Sequence, residues 1–180
     1  YVLAGTVEHG DSLGNHGILG PGSLQLMTAG RGILHQEMPK GDGLGRMHGV
    51  QMWGNLPRDL KMTAPRYQDI ADADLPEVGD DDGSSIRVVI GEYRGVKSPV
   101  DGIAADPQYL DVYVAPGKRK VFKVDTRRRA FAYVFDGAGN FRDSATPEGV
   151  LVEKEVQGRE VNIRDLSGNR TLVRFGAGDE

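Results

Sequence analysis

The chain has no cysteine, which removes disulfides, thiolate metal sites and a cysteine nucleophile. It has no run near the roughly 18 consecutive apolar residues that a membrane-crossing helix needs, so no membrane partner is expected. It also lacks a basic excess: 22 Lys and Arg against 26 Asp and Glu leave a formal charge of −4. That balance argues against nucleic acid as a partner. The start carries no charged n-region or cleavage site and does not read as a signal peptide, and a cytoplasmic location is the expectation. The chain begins at Tyr1 inside the apolar run Tyr1-Val2-Leu3 and stops at the turn signal Gly178-Asp179-Glu180, so it reads as a fragment of a longer one.

Glycine is abundant, at 26 of 180 residues, about twice the usual share of roughly 7%. The glycines punctuate short β-favouring runs, as tight turns do. In the first third the strand-like runs are 1–3, 6–9, 17–19, 23–27, 33–37 and 47–53. Turns recur every 8–12 residues or so, the spacing of an all-β sandwich or barrel. Later runs fall at 86–90, 109–114, 120–124, 131–135, 150–156, 160–163 and 171–175. Between the two sets, residues 57–85 are punctuated by Pro57, Pro65 and Pro76 and carry Asp80-Asp81-Asp82. They read as a linker with a helical turn near Gln68–Ala73.

A weak internal repeat links the two halves. Tyr133-Val134-Phe135-Asp136-Gly137 echoes Tyr1-Val2-Leu3-Ala4-Gly5, and Phe175-Gly176-Ala177-Gly178-Asp179 echoes Leu19-Gly20-Pro21-Gly22-Ser23. Two strand–turn echoes in the same order point to a duplicated β-barrel. The expected organisation is 1–56 as the C-terminal part of a first barrel, 57–85 as linker and 86–180 as the N-terminal part of a second.

The segment with the most chemistry is Gly30-Arg31-Gly32-Ile33-Leu34-His35-Gln36-Glu37-Met38-Pro39. In a strand, Ile33, His35 and Glu37 share one face, with alternate α-carbons roughly 6–7 Å apart. An imidazole and a carboxylate so placed can converge on one ion. Inside a barrel they would be costly unless bound or paired. Imidazole with carboxylate suits first-row divalent metals, and two His with one carboxylate is a non-haem Fe(II) pattern. A His-x-Glu triplet also occurs as a partly exposed pair at a strand end, and that alternative stays open on the residues alone. His16, beside a turn, reads as solvated. His9 and His48 read as hydrogen-bonded structural histidines, and neither completes an obvious ligand set.

Other motifs carry less. The basic runs Lys118-Arg119-Lys120 and Arg127-Arg128-Arg129 read as solvated hairpin faces. Gly41–Gly45 lacks the Lys-Ser/Thr and strand-to-helix context of a phosphate loop. Asp80–Asp82 lacks the alternating ligands and terminal Glu of a calcium loop. Ser12, Ser23 and Ser98 have no nucleophile-elbow context.

The stretch YVLAGTVEHGDSLGNHGILGPGSLQLMTAGRGILHQEMP, followed by HGVQMWGNLP and KMTAPRYQDI, resembles the pirin family of bicupins over residues 1–70. The order MTAG, GILHQEMP, NLP is more specific than a general cupin pattern. From 86 onward GVKSPVDG and YLDVYVAPG continue the resemblance in order. It implies an all-β fold of double-stranded β-helix (cupin) barrels, two in tandem, both incomplete in this chain. It further implies one Fe(II) in the first barrel, held by three His and one Glu. His35 and Glu37 match the third His and the Glu. The other two His belong to a His-Pro-His motif expected upstream of Tyr1 and absent here, so the polypeptide carries half a site.

The activity implied for the full-length protein is an Fe(II)-dependent dioxygenase acting on a flavonol such as quercetin. In that activity the metal acts as Lewis acid and template, with Glu37 as general base. Met27 and Trp53 are candidate walls for a small aromatic substrate. The alternative is an iron-dependent redox-sensing transcription cofactor without turnover. The full-length protein is expected to be a monomer, and the fragment alone is expected to be inactive.

Overall fold

The structure, a computed structural model, describes residues 1–125, 127–141, 150–152, 160–161, 167–168 and 171–175. Short strands dominate, and the only helical elements among the described residues are single 3-10 turns at Arg58–Leu60 and Asp72–Asp74. The chain divides into two compact units, Tyr1–Arg119 and Lys120–Glu180.

The first unit opens with β1 (Val2–Ala4), β2 (Thr6–Asp11), β3 (His16–Leu19), β4 (Leu24–Thr28), β5 (His35–Lys40) and β6 (His48–Gly49). It continues through β7 (Arg66–Ile70), β8 (Glu77–Gly79), β9 (Ser85–Ile90), the short pair β10 (Glu92–Tyr93) and β11 (Val96–Lys97), and β12 (Tyr109–Tyr113). The antiparallel sheets run β3-β2-β5, β4-β7 and β12-β9-β8, with β1 paired to β6.

Period-two alternation along β4 and β7 decides which face meets the core. Leu24 and Leu26 from β4, and Ile70 from β7, pack with Leu75, Val89 and Ile90. The intervening Gln25 and Met27, opposite Asp69 and Tyr67 of β7, therefore point the other way. Strand β9 lies between β8 and β12, and its Ile86, Val88 and Val89 have no exposed surface. Burying such a side chain is worth roughly 1.5–3 kcal/mol, so this strand anchors the unit.

The second unit holds β13 (Phe131–Val134), β14 (Ala138–Gly139), β15 (Val150–Val152), β16 (Glu160–Val161), β17 (Ser167–Gly168) and β18 (Thr171–Arg174). Their order is β13-β18-β15-β16, with β14 paired to β17. Val173 is buried against Ala132, Phe141 and Phe175.

Several strand expectations shift. The segment 57–85, read as a linker, supplies β7 to β4 and β8 to β9, so the division between units falls at Arg119–Lys120 instead. The helical turn expected at Gln68–Ala73 is the end of β7 followed by the 3-10 turn at Asp72. A strand over 47–53 contracts to His48–Gly49, whose partner is the three-residue β1, and Trp53 lies outside any strand. No strand forms over 120–124. The strand expected from Ile33 starts at His35, after a turn closed by the Gly32 N–H donating to the Ala29 carbonyl at 2.9 Å. Of the repeated motifs, Gly5 and Gly137 share a left-handed backbone, with φ of 79° and 74°. The echo at 176–178 lies outside the described residues.

Candidate metal centre

Strands β2 and β5 pair so that His9 faces Glu37 and Asp11 faces His35. Residues directly opposite in an antiparallel pair project to the same side, so these four side chains share one face. Gln36 and Met38 project to the other. The β4–β7 pair lies over the shared face. Gln25 reaches His9, and the ring of Tyr67 stacks on it at 4.9 Å and 15°. Gly17, opposite His9 on β3, leaves the room this needs: a Cβ there would sit 3.3 Å from the Asp69 carboxylate and 3.8 Å from the Tyr67 hydroxyl.

His9 is the buried centre of this cluster, 4% exposed. Gln25 Nε2 donates to its Nδ1 at 2.6 Å, and its Nε2 lies 3.5 Å from Asp11 Oδ2. Both ring nitrogens are thus occupied, so His9 is a structural histidine and offers no lone pair to an ion. His16 is exposed and sits opposite Gly10, away from the shared face; His48 lies on β6 opposite Ala4.

His35 and Glu37 are both exposed, like every residue of β5. They share a face as alternation requires, but they are not enclosed. The reason is topological: β5 is the edge of its sheet and pairs only with β2 among the described residues. No three His, Cys, Asp or Glu side chains among the described residues converge to hold an ion. What the strand offers is one imidazole and one carboxylate on one side. That donor set fits two positions around a divalent ion such as Fe(II) and leaves the others to groups beyond these residues.

The surrounding electrostatics are uneven. Burial opposes ionisation of Asp11. The Asn15 side chain at 2.7 Å, the N–H groups of Leu13 and Asn15 at 2.9 and 3.0 Å, and His9 outweigh it and hold the carboxyl down at about 2. Burial, then the neighbouring Asp69, Asp11 and Glu37 charges, push the Tyr67 phenol up to about 12. Its hydroxyl is buried and makes no hydrogen bond among the described residues. Loss of solvent around Asp69, partly offset by His9, raises that carboxyl.

Asp11 gives a pH prediction. A carboxyl lowered in the folded state contributes stability that is fully present above its ordinary value of 3.8 and is lost as pH falls through about 2. The urea midpoint is expected to drop across that window. Asp11→Asn should lower the midpoint at pH 7 and flatten the acid dependence; an unchanged acid slope in the variant would count against the assignment.

Sequence reasoning did not find Tyr67, Asp69 or Gln25. The signal was present in Arg66-Tyr67-Gln68-Asp69-Ile70, where Tyr67 and Asp69 alternate with residues of the opposite face. Trp53, a candidate substrate wall, is 88% exposed and stands on no strand, whereas Met27 sits on the face toward the cluster, opposite Tyr67. A cavity of about 150 Å³ lined by Thr28, Leu60, Thr63, Arg66 and Gly102 lies elsewhere. Thr28 and Arg66 alternate with Met27 and Tyr67, so it belongs to the opposite face of β4 and β7.

Residues 1–54, which span β1 to β6 and the β5 pair, match the family model described as Pirin. A protein of Thermoplasma acidophilum, provisionally named a quercetin 2,3-dioxygenase, is 30% identical over 193 residues, covering 98% of this chain and 74% of that protein. The chain belongs to the pirin family. A pirin-like protein of Arabidopsis thaliana is 40% identical over 146 residues, 80% of this chain and 46% of that one. The chain spans about half the length of the pirin-like relatives it matches. Among solved structures, a quercetin 2,3-dioxygenase of Acinetobacter baumannii superposes with a TM-score of 0.62 at 28% identity, over 98% of this chain and 56% of that one. The pirin chain thus has the all-β cupin fold. No helix among the described residues is long and apolar enough to cross a membrane.

Proposed function

We propose that the full-length protein carrying this chain is an iron-dependent dioxygenase of the quercetin 2,3-dioxygenase type, with His35 and Glu37 as two of its metal ligands. The observation that carries the reading is the imidazole and carboxylate at alternate positions of β5, on the face shared with His9 and Asp11. The names of the Thermoplasma and Acinetobacter relatives supply the substrate class. The remaining ligands, two His in this reading, come from outside the chain.

Bound iron would act there as Lewis acid and template, bringing the flavonol next to O₂. The chain's own residues do the rest. His35 and Glu37 fix the ion against one wall, and Glu37 takes the proton of the flavonol hydroxyl. Met27 presents apolar surface from β4 to a flat ring.

Full-length protein loaded anaerobically with Fe(II) is expected to consume quercetin and O₂ together, followed by loss of flavonol absorbance and by an oxygen electrode. Stoichiometric iron with no flavonol consumption would sink the enzymatic reading. Iron-state-dependent binding of a protein partner would then point to a sensor.

A further inference from the structure

We propose that His9 is the positioning residue of the metal pair, acting through a ring stack and a register contact rather than as a ligand; this rests on the reading of His35 and Glu37 as ligands. Three rings stand in a row across the two sheets. Tyr67 stacks on His9 at 4.9 Å and 15°, and His9 on His35 at 6.1 Å and 30°. His9 also lies directly opposite Glu37 in the β2–β5 register. One buried side chain therefore stacks on one proposed ligand and stands opposite the other in the strand register.

The asymmetry of the stack gives it direction. His35 stands on an edge strand whose residues are all exposed, so little packing holds its ring. His9 is fixed from every side: Gln25 of β4 at Nδ1, Asp11 of β2 at Nε2, and Tyr67 of β7 on its face. An apolar ring would pack against Tyr67 without the cost of burying two polar nitrogens, a cost offset only by hydrogen bonds. The imidazole with its tether to Gln25 is what an orienting platform requires, because the hydrogen bonds set the plane against which His35 lies. Asp11, itself held by Asn15, contacts the same ring and lies directly opposite His35.

The test uses Co(II) as probe in the full-length protein, reading its dissociation constant and its visible ligand-field bands per bound ion, with the thermal midpoint in parallel. His9→Ala is expected to weaken Co(II) about 10-fold or more, within the range for groups that orient ligands, and to shift the bands. Gln25→Leu, which keeps the ring and frees its plane, should shift the bands with a smaller loss. His35→Ala should abolish tight binding. Should His9→Ala fail to fold, Gln25→Leu and His9→Phe decide the matter. Wild-type affinity and unchanged bands in the His9 and Gln25 variants, beside a lost site in His35→Ala, would overturn the positioning role alone. Absence of tight Co(II) in the unmodified protein would overturn both this role and the ligand assignment.

Discussion

Full-length protein carrying His35→Ala is expected to lose its metal and keep its fold. An ion held by a few side chains loses a full ligand with the imidazole, and removal of orienting groups behind a ligand already costs 10–100-fold. Loss of the ligand itself should therefore exceed about 100-fold in affinity. Glu37→Ala should do the same, while Glu37→Gln, which retains an oxygen but no charge, should fall between. Compared metal-free, stability should scarcely move, because every residue of β5 is exposed and none contributes to the buried cluster of Leu24, Leu75, Val89 and Ile90. Exposed substitutions of that kind usually fall within about 0.5 kcal/mol. Leu34→Ala, at a position 80% exposed beside the pair, is the control and should leave metal content unchanged. Elemental analysis of the purified variants and a urea titration of each give both readings. Stoichiometric metal in His35→Ala and Glu37→Ala would remove β5 from the site altogether. The 180-residue chain alone offers two donors from one strand, and is expected to bind Fe(II) weakly and turn over no quercetin.

Much of the local structure was legible because its causes are local. Ser85–Ile90 and Tyr109–Tyr113 are β-rich runs that became paired strands, and the glycines at 5, 14 and 22 sit in left-handed turns where a side chain is strained. The alternation that joins His35 to Glu37 needs only the period of a strand. Three features were hidden because their causes are distant. Strand β7, framed by Pro65 and Pro76, has a short mixed pattern that local reasoning assigns to a linker; its partner is β4, some forty residues earlier. The exposure of β5 depends on its place at a sheet edge, which no pattern within the strand encodes. The engagement of both His9 nitrogens depends on Gln25 arriving from another sheet. Sequence thus placed the proposed donors on one face and left their support to the fold.

Gly30→Ala is expected to be the most damaging single-methyl change near the site. Gly30 has a φ of 51°, and a Cβ there would lie 2.2 Å from the Thr63 carbonyl oxygen and 3.0 Å from its carbon. Backbone cannot give way as a flexible side chain can. The left-handed conformation alone costs roughly 1–2 kcal/mol. Moving Thr63 also breaks the bond in which the Arg31 N–H donates to its carbonyl at 2.9 Å, worth roughly 1 kcal/mol. A total of about 2–3 kcal/mol follows, a large share of a marginal stability. Gly14 separates the two contributions, since its φ is 89° but nothing lies within 4 Å of a Cβ there. Gly14→Ala should therefore show the conformational cost only, near 1–2 kcal/mol. Urea midpoints of the two variants test the difference, and equal losses would mean that the Thr63 contact does not constrain the turn. The Gly30 turn also sets where β5 begins. Gly30→Ala in the full-length protein should consequently lower metal content while leaving His35 and Glu37 in place, whereas Gly14→Ala should not. A turn that fixes the entry of the ligand-bearing strand acts on the site through the backbone.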